Sequence, residues 1–106
     1  MKSEGQRQSQ AHEKRLAAEL NGQRTAASGA FWQRKGDVRS ETLLVEHKWT
    51  GKKQVTIKSE VLKKIVTEAT LDYRVPVLGL HLDGENYVVL LEEDFLEMHN
   101  ALQDAS

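Results

Sequence analysis

The stretch GDVRSETLLVEHKWT, residues 36–50, decides how this chain folds. Its centre, Leu43-Leu44-Val45, is a short apolar run of the kind a strand places in a core. Charged and aromatic residues then follow at Glu46, His47, Lys48 and Trp49. Side chains of a strand alternate between its two faces. Leu44, Glu46 and Lys48 therefore share one face, and Val45, His47 and Trp49 share the other. Val45 and Trp49 are expected to pack on helices. The opposite face begins apolar at Leu44 and becomes charged towards its end, as in a strand rooted in a core whose last residues reach solvent.

Working backwards, a short strand is expected around residues 36–39, then a turn near Ser40, then the second strand over 42–49. Together they make a hairpin. That hairpin folds Asp37 back beside Glu46, so two carboxylates converge next to the ammonium of Lys48. Glu46 and Lys48 alone would suit a surface ion pair, worth ~0–1 kcal/mol. Asp37 alters the weighing, because converging carboxylates repel and raise each other's pKa unless a cation lies between them. Oxygen-only donors suit Mg²⁺ or Mn²⁺. Such an ion acidifies water and stabilises charge on a phosphoryl oxygen. An Asp, a Glu and a Lys so placed are what metal-dependent phosphodiester hydrolysis requires.

Residues 1–10 are polar and aperiodic and are expected to form a flexible tail. Residues 11–20, AHEKRLAAEL, place Leu16, Ala17 and Leu20 on one helical face, with Asn21-Gly22 ending the helix. Residues 21–30 form a small-residue loop containing Ser28-Gly29. After the hairpin, TGKKQ is a turn, and residues 55–57 briefly extend the sheet. Ser59 is placed as an N-cap with Glu60 in the first turn. An amphipathic helix then runs to Tyr73 on Val61, Leu62, Ile65, Val66 and Ala69, and Pro76 stops it. VPVLGLHL and YVVLLE are strands joined by the turn DGEN, and EEDFLEMHNAL is a closing amphipathic helix. The predicted class is α/β or α+β: a mixed central sheet flanked by helices.

The chain has 106 residues, enough for one domain, here 11–106 after the tail. It is 39% hydrophobic and 29% charged, as a globular domain is. It lacks cysteine, which excludes a disulfide framework and thiolate metal sites and suits a cytoplasmic location. No apolar run approaches the ~18 residues of a membrane span. A core this small favours oligomers. The net charge of −1 conceals an asymmetry: residues 1–58 carry twelve Lys and Arg against six Asp and Glu, whereas 59–106 carry three against ten. The half that contains the opening stretch is thus the basic one, which favours a polyanion such as nucleic acid.

The string Gly36-Asp37, nine residues before Glu46-His47-Lys48, resembles the D…ExK motif of the PD-(D/E)XK nuclease superfamily, with glycine where proline is usual. The surrounding order is similar to archaeal-type Holliday junction resolvases and their small phage-like relatives: a first helix with Glu13, the Ser28-Gly29 loop, the two motif strands, a long helix and a Pro-led strand. The likeness spans about residues 11–95. It implies a restriction-endonuclease-like αβββαβ core, an endonuclease acting on branched DNA, a Mg²⁺ cofactor and a homodimer. It further implies that Asp37 and Glu46 hold the metal with Glu13 in support, that Lys48 assists catalysis, and that Ser28 touches the scissile strand. Glu19 competes with Glu13 for its role. Flap, nicked or linear duplex DNA are alternative substrates, and a non-catalytic DNA-binding module of the same fold is the alternative function.

Arg34, Lys35, Arg39, Lys52, Lys53 and Lys58 are candidate DNA contacts, able to hold phosphates without reading sequence. Phe31 and Trp32 suit either base stacking or anchoring of the loop. The four histidines, His12, His47, His81 and His99, lie far apart in the chain, and none is read as a zinc ligand.

Overall fold

A computed structural model describes residues 4–20, 23–24 and 37–105, with positions 23, 24 and 37 described by backbone alone. Among the described residues, three helices and five strands follow in the order α1 (Glu4–Glu19), β1 (Gln23–Arg24), β2 (Asp37–Arg39), β3 (Leu43–Trp49), α2 (Ser59–Leu71), β4 (Val75–Leu82), β5 (Glu85–Leu90) and α3 (Glu92–Ala105). The strands form one sheet in the order β1-β2-β3-β4-β5. β3 and β4 are parallel, joined through α2, and every other neighbouring pair is antiparallel. This is the mixed α/β class that the pattern of elements predicts. No helix among the described residues is long and apolar enough to cross a membrane.

The hairpin forms where expected. Ser40 closes it: its Oγ accepts from the amides of Leu43 at 2.9 Å and Thr42 at 3.3 Å, and its own amide donates to the Leu43 carbonyl at 3.0 Å. At the opposite end of the sheet, Asp83 and Gly84 both take positive φ, 48° and 79°, the two-residue turn that matches the twist of a hairpin.

Strand alternation sorts the core into two layers. Val38, Val45 and Val77 face α1 and pack around Ala17, with Leu16, Leu20 and Leu43 alongside. Leu78 and Leu80 face α2 and pack around Ile65, with Leu62, Val89 and Ile57 alongside. β4 is covered on both faces, which is why VPVLGLHL reads as a nearly unbroken apolar run. Pro76 fits this strand because of its register. The neighbouring amide of Val75 donates to the Thr42 carbonyl beside β3, so position 76 turns towards β5, whose pairing begins only at Val77.

Several expectations shift. α1 begins at Glu4, well inside residues 1–10, because Glu, Gln and Arg are good helix formers and Glu4 holds the first turn. The Glu4 carboxylate accepts from Arg7 and from Gln8, each at 3.2 Å. A two-residue strand, β1, occurs within the expected loop. Residues 55–57 form no strand; instead, half-buried Val55 and Ile57 lie against the Leu78 layer as the chain crosses the sheet. Lys58, not Ser59, is the N-cap of α2, in extended conformation and without a side-chain cap. α2 ends at Leu71 with Asp72 as C-cap, and Tyr73 takes φ 55° and points to solvent rather than joining the apolar stripe. Arg74 explains this stop: its Nη1 donates to the Asp72 carboxylate at 2.8 Å, and its Nε donates to the Ser40 carbonyl at 2.7 Å. The same Asp72 carboxylate lies 3.2 Å from Arg39 Nε on β2, a charge contact without hydrogen-bond alignment. α3 is helical as expected, yet none of its residues is buried.

Candidate functional site

The register of the β2–β3 hairpin sets position 37 directly opposite Glu46. Directly opposed positions of an antiparallel pair belong to one sheet face. By alternation that face is the α2 side, where Leu78 stands beside Glu46 and Leu80 beside Lys48 on the parallel strand β4. Glu46 is half-buried and Lys48 is exposed. The pairing of β2 with β3 starts at position 37, while β3 continues to Trp49. Beyond Glu46, the edge of β3 away from β4 is therefore unpaired among the described residues, and Lys48 stands at this notch in the sheet rim.

The chain leaves β3 through a turn closed by the Thr50 Oγ1, which accepts from the Lys52 amide at 3.1 Å. Lys52, Lys53 and Lys58 are all exposed on this crossing segment. They and Lys48 form a row of cations running from the end of β3 to the start of α2. Arg39 does not belong to that row, because Asp72 engages it. Ser28, Arg34 and Lys35, with Phe31 and Trp32, lie outside the described residues.

Glu13 goes elsewhere. It is only 3% exposed and lies on the face of α1 that also buries Ala17, against the opposite side of the sheet from Glu46. It is thus not a solvent-facing helix residue, and it does not share a face with position 37. Glu19 is exposed. The set brought together on the α2 face is therefore two acidic positions and one lysine. Among the described residues, no three His, Cys, Asp or Glu side chains form a metal-holding group.

On the α1 face the structure gathers residues that look scattered in the chain. The ring of His12 stacks on that of His81 at 4.1 Å and on that of His47 at 5.6 Å, and Trp49 lies parallel to His81 at 6.5 Å. His47 is 7% exposed, and its Nδ1 is buried without a hydrogen-bond partner among the described residues. His81 Nδ1 meets Asn86 Oδ1 at 2.8 Å. Gly79 makes room for this packing: a Cβ there would lie 3.0 Å from the His47 ring and 3.3 Å from Val45. Burial pushes the His47 imidazole down to about 4, with the charges of His12, Arg15 and His81 adding to the effect. Burial also lowers His12, helped by His81 and Arg15. The His47 ring is therefore neutral near pH 7. The alternation of His47 with Trp49 was the one hint of this cluster in the sequence; the parallel register that adds His81 was not legible.

Comparison with known proteins finds no matching family model, no matching curated protein and no matching solved structure.

Proposed function

We propose that the chain is a metal-dependent DNA endonuclease of the PD-(D/E)XK type, acting on branched DNA as a Holliday junction resolvase. The observation that carries this reading is the register that opposes positions 37 and 46, with Lys48 two residues further along the same strand face. The order α1-β1-β2-β3-α2-β4 supports a restriction-endonuclease-like core, since it repeats the αβββαβ series of that family.

The donor set fits a hard divalent cation, because the two positions offer carboxylate oxygens and no nitrogen or sulfur. Asp37 and Glu46 would hold Mg²⁺, or Mn²⁺ in its place. When bound, that ion neutralises charge on the phosphoryl group and acidifies water. Lys48 supplies a fixed positive charge beside the scissile phosphate, where negative charge grows as water adds and the P–O bond to the leaving sugar oxygen breaks. Lys52, Lys53 and Lys58 hold the flanking backbone by charge alone, so recognition follows DNA shape rather than base sequence. Glu13 acts from beneath the sheet, as a buried support of α1, rather than as a third ligand. A homodimer would present two such rims to a branch point. The exposed apolar residues Phe95, Leu96, Met98 and Leu102 on α3 offer a surface for it.

The test is cleavage of a synthetic four-way junction beside matched duplex, with Mg²⁺ or with EDTA, wild type against Asp37→Asn. Symmetric nicks near the branch that require both metal and Asp37 are expected. Equal cutting of duplex and junction would replace the resolvase by a nuclease of broader substrate range. Tight binding without cutting would replace the enzyme by a DNA-binding module.

A further inference from the structure

The two edges of the sheet are guarded unequally. β1, at one edge, is two residues long. β5, at the other, is six residues long, pairs with β4 without a break from Glu85 to Leu90, and carries no lysine or proline. Soluble proteins ordinarily blunt an edge strand with such residues, with a bulge or by keeping it short. The neighbouring strand sets where the free backbone groups of β5 point. On β4 the Val75 amide donates to the Thr42 carbonyl and the His81 carbonyl accepts from the Thr50 amide, so the odd-numbered positions turn towards β3. The even positions Leu78, Leu80 and Leu82 turn towards β5, where they stand opposite Val89, Tyr87 and Glu85. Asn86, Val88 and Leu90 therefore aim their N–H and C=O groups outward, and no strand among the described residues receives them. Val88 is 60% exposed, and Tyr87 beside it is half exposed.

We propose that a second copy of this chain pairs with that edge, β5 against β5 and antiparallel, about a twofold axis at Val88. The strand is complementary to itself in this register. Val88 of one copy faces Val88 of the other, and Asn86 faces Leu90, so every outward amide and carbonyl from Asn86 to Leu90 finds a partner. Moving the axis to Tyr87 would leave Leu90 without a mate. Opposed positions share a face, which sets Tyr87 beside Val89, an aromatic ring on a β-branched side chain. Glu85 is the one charge on the strand and faces the residue just past Leu90, so no like charges oppose each other along it. Repulsion enters only beyond the strand ends, where Asp83 and Glu85 of one copy approach Glu92 and Glu93 of the other; added salt should therefore tighten the pair. The pairing joins two five-stranded sheets into one. One consequence rests on the nuclease reading. A twofold axis normal to the sheet keeps both rims on the same side. Glu46 lies in register with Leu78 and Val89, and across the axis with Tyr87, Leu80 and Lys48 of the other copy. The two β3 strands are five strand spacings apart, roughly 24 Å, so each rim reaches its own DNA strand.

Sedimentation of the full chain, without DNA or metal, is the test. Wild type is expected to be dimeric at micromolar concentration. Val88→Lys sets two like charges together on the axis and should weaken the dimer about tenfold or more, and Val88→Glu should do the same. Mixed in equal amounts, the two variants should pair again, because the axis then joins opposite charges. Val88→Pro gives a second route: it removes only an outward N–H, which an edge strand tolerates, and should also yield monomers with the urea midpoint of the charge variants. A wild type that stays monomeric at high micromolar concentration would overturn the proposal. So would undiminished dimers in the single variants, which would move the contact away from β5, or a mixture that fails to recover. Cleavage plays no part in the measurement, so a chain that never cuts DNA can still pass it and an active nuclease can still fail it.

Discussion

The two faces of β3 handle polarity in opposite ways. Towards α1, Val45, His47 and Trp49 continue the core with aromatic rings, and the polar member, His47, is buried and neutral. Towards α2, Leu44 is buried, but Glu46 and Lys48 rise out of the apolar layer and carry charge to an open rim. The difference follows from what lies above each face. α1 runs over β2 and β3 and closes one side with His12. The crossing segment and α2 cover mainly β4 on the other side, leaving the end of β3 to solvent. One strand can thus supply both a packed layer and a reactive edge, because adjacent residues meet different neighbours.

Removing core volume tests what both faces rest on. Leu78, 1% exposed under α2, is expected to cost about 2–5 kcal/mol when cut to Ala, read by urea denaturation. A cost under about 1 kcal/mol would mean that the α2 layer is not packed as described. The charged face is sharpened by Glu46→Gln. Junction cleavage should fall by about 10²–10³-fold, a loss of the order seen when one electrostatic stabiliser is removed, while the denaturation midpoint stays put. A variant that cuts normally would reduce Glu46 to a surface residue.

The buried face predicts a pH dependence of definite sign. The folded protein holds His47 near 4, against 6.5 for the free side chain, so between those values the unfolded chain binds the extra proton. The associated stability is complete above about pH 6.5 and is lost as pH falls towards 4, by up to about 3 kcal/mol. His12, shifted in the same direction, deepens the loss. Denaturation at about pH 7.5 and about pH 4.5 should show a smaller drop for His47→Phe than for wild type. Equal drops would place the sensitivity in the carboxylates instead. The smallest effect is expected far from both faces. Leu102 on α3 is 71% exposed, so Leu102→Glu should change unfolding by no more than about 0.5 kcal/mol. Its sedimentation should nevertheless show weaker self-association than wild type if α3 is the dimer surface.

Local patterns were legible wherever a short stretch settles its own structure. The hairpin of residues 37–49, the turn at Asp83-Gly84 and the amphipathic α2 were all readable, because turn chemistry and periodicity act over a few residues. The boundaries that moved depend on distant partners. The end of α2 is set by Arg74 reaching Ser40, and Val55 and Ile57 lie on the Leu78 layer rather than pairing as a strand. α3 showed the limit in the other direction: its apolar spacing makes a helix but does not say what covers it.

For the candidate site, the chain by itself determined that Glu46 and Lys48 share a face, since strand alternation needs no tertiary information. Its turn signal at Ser40 also brought position 37 to meet them. Only the tertiary structure decided that Glu13 lies beneath the sheet rather than beside that pair, because a helix's face depends on where its axis is laid. It alone drew His12, His47 and His81 into one stack, through a parallel register that local sequence does not encode. Contacts within a hairpin close a few residues apart, whereas these close across the chain, where the packing of whole elements sets the geometry.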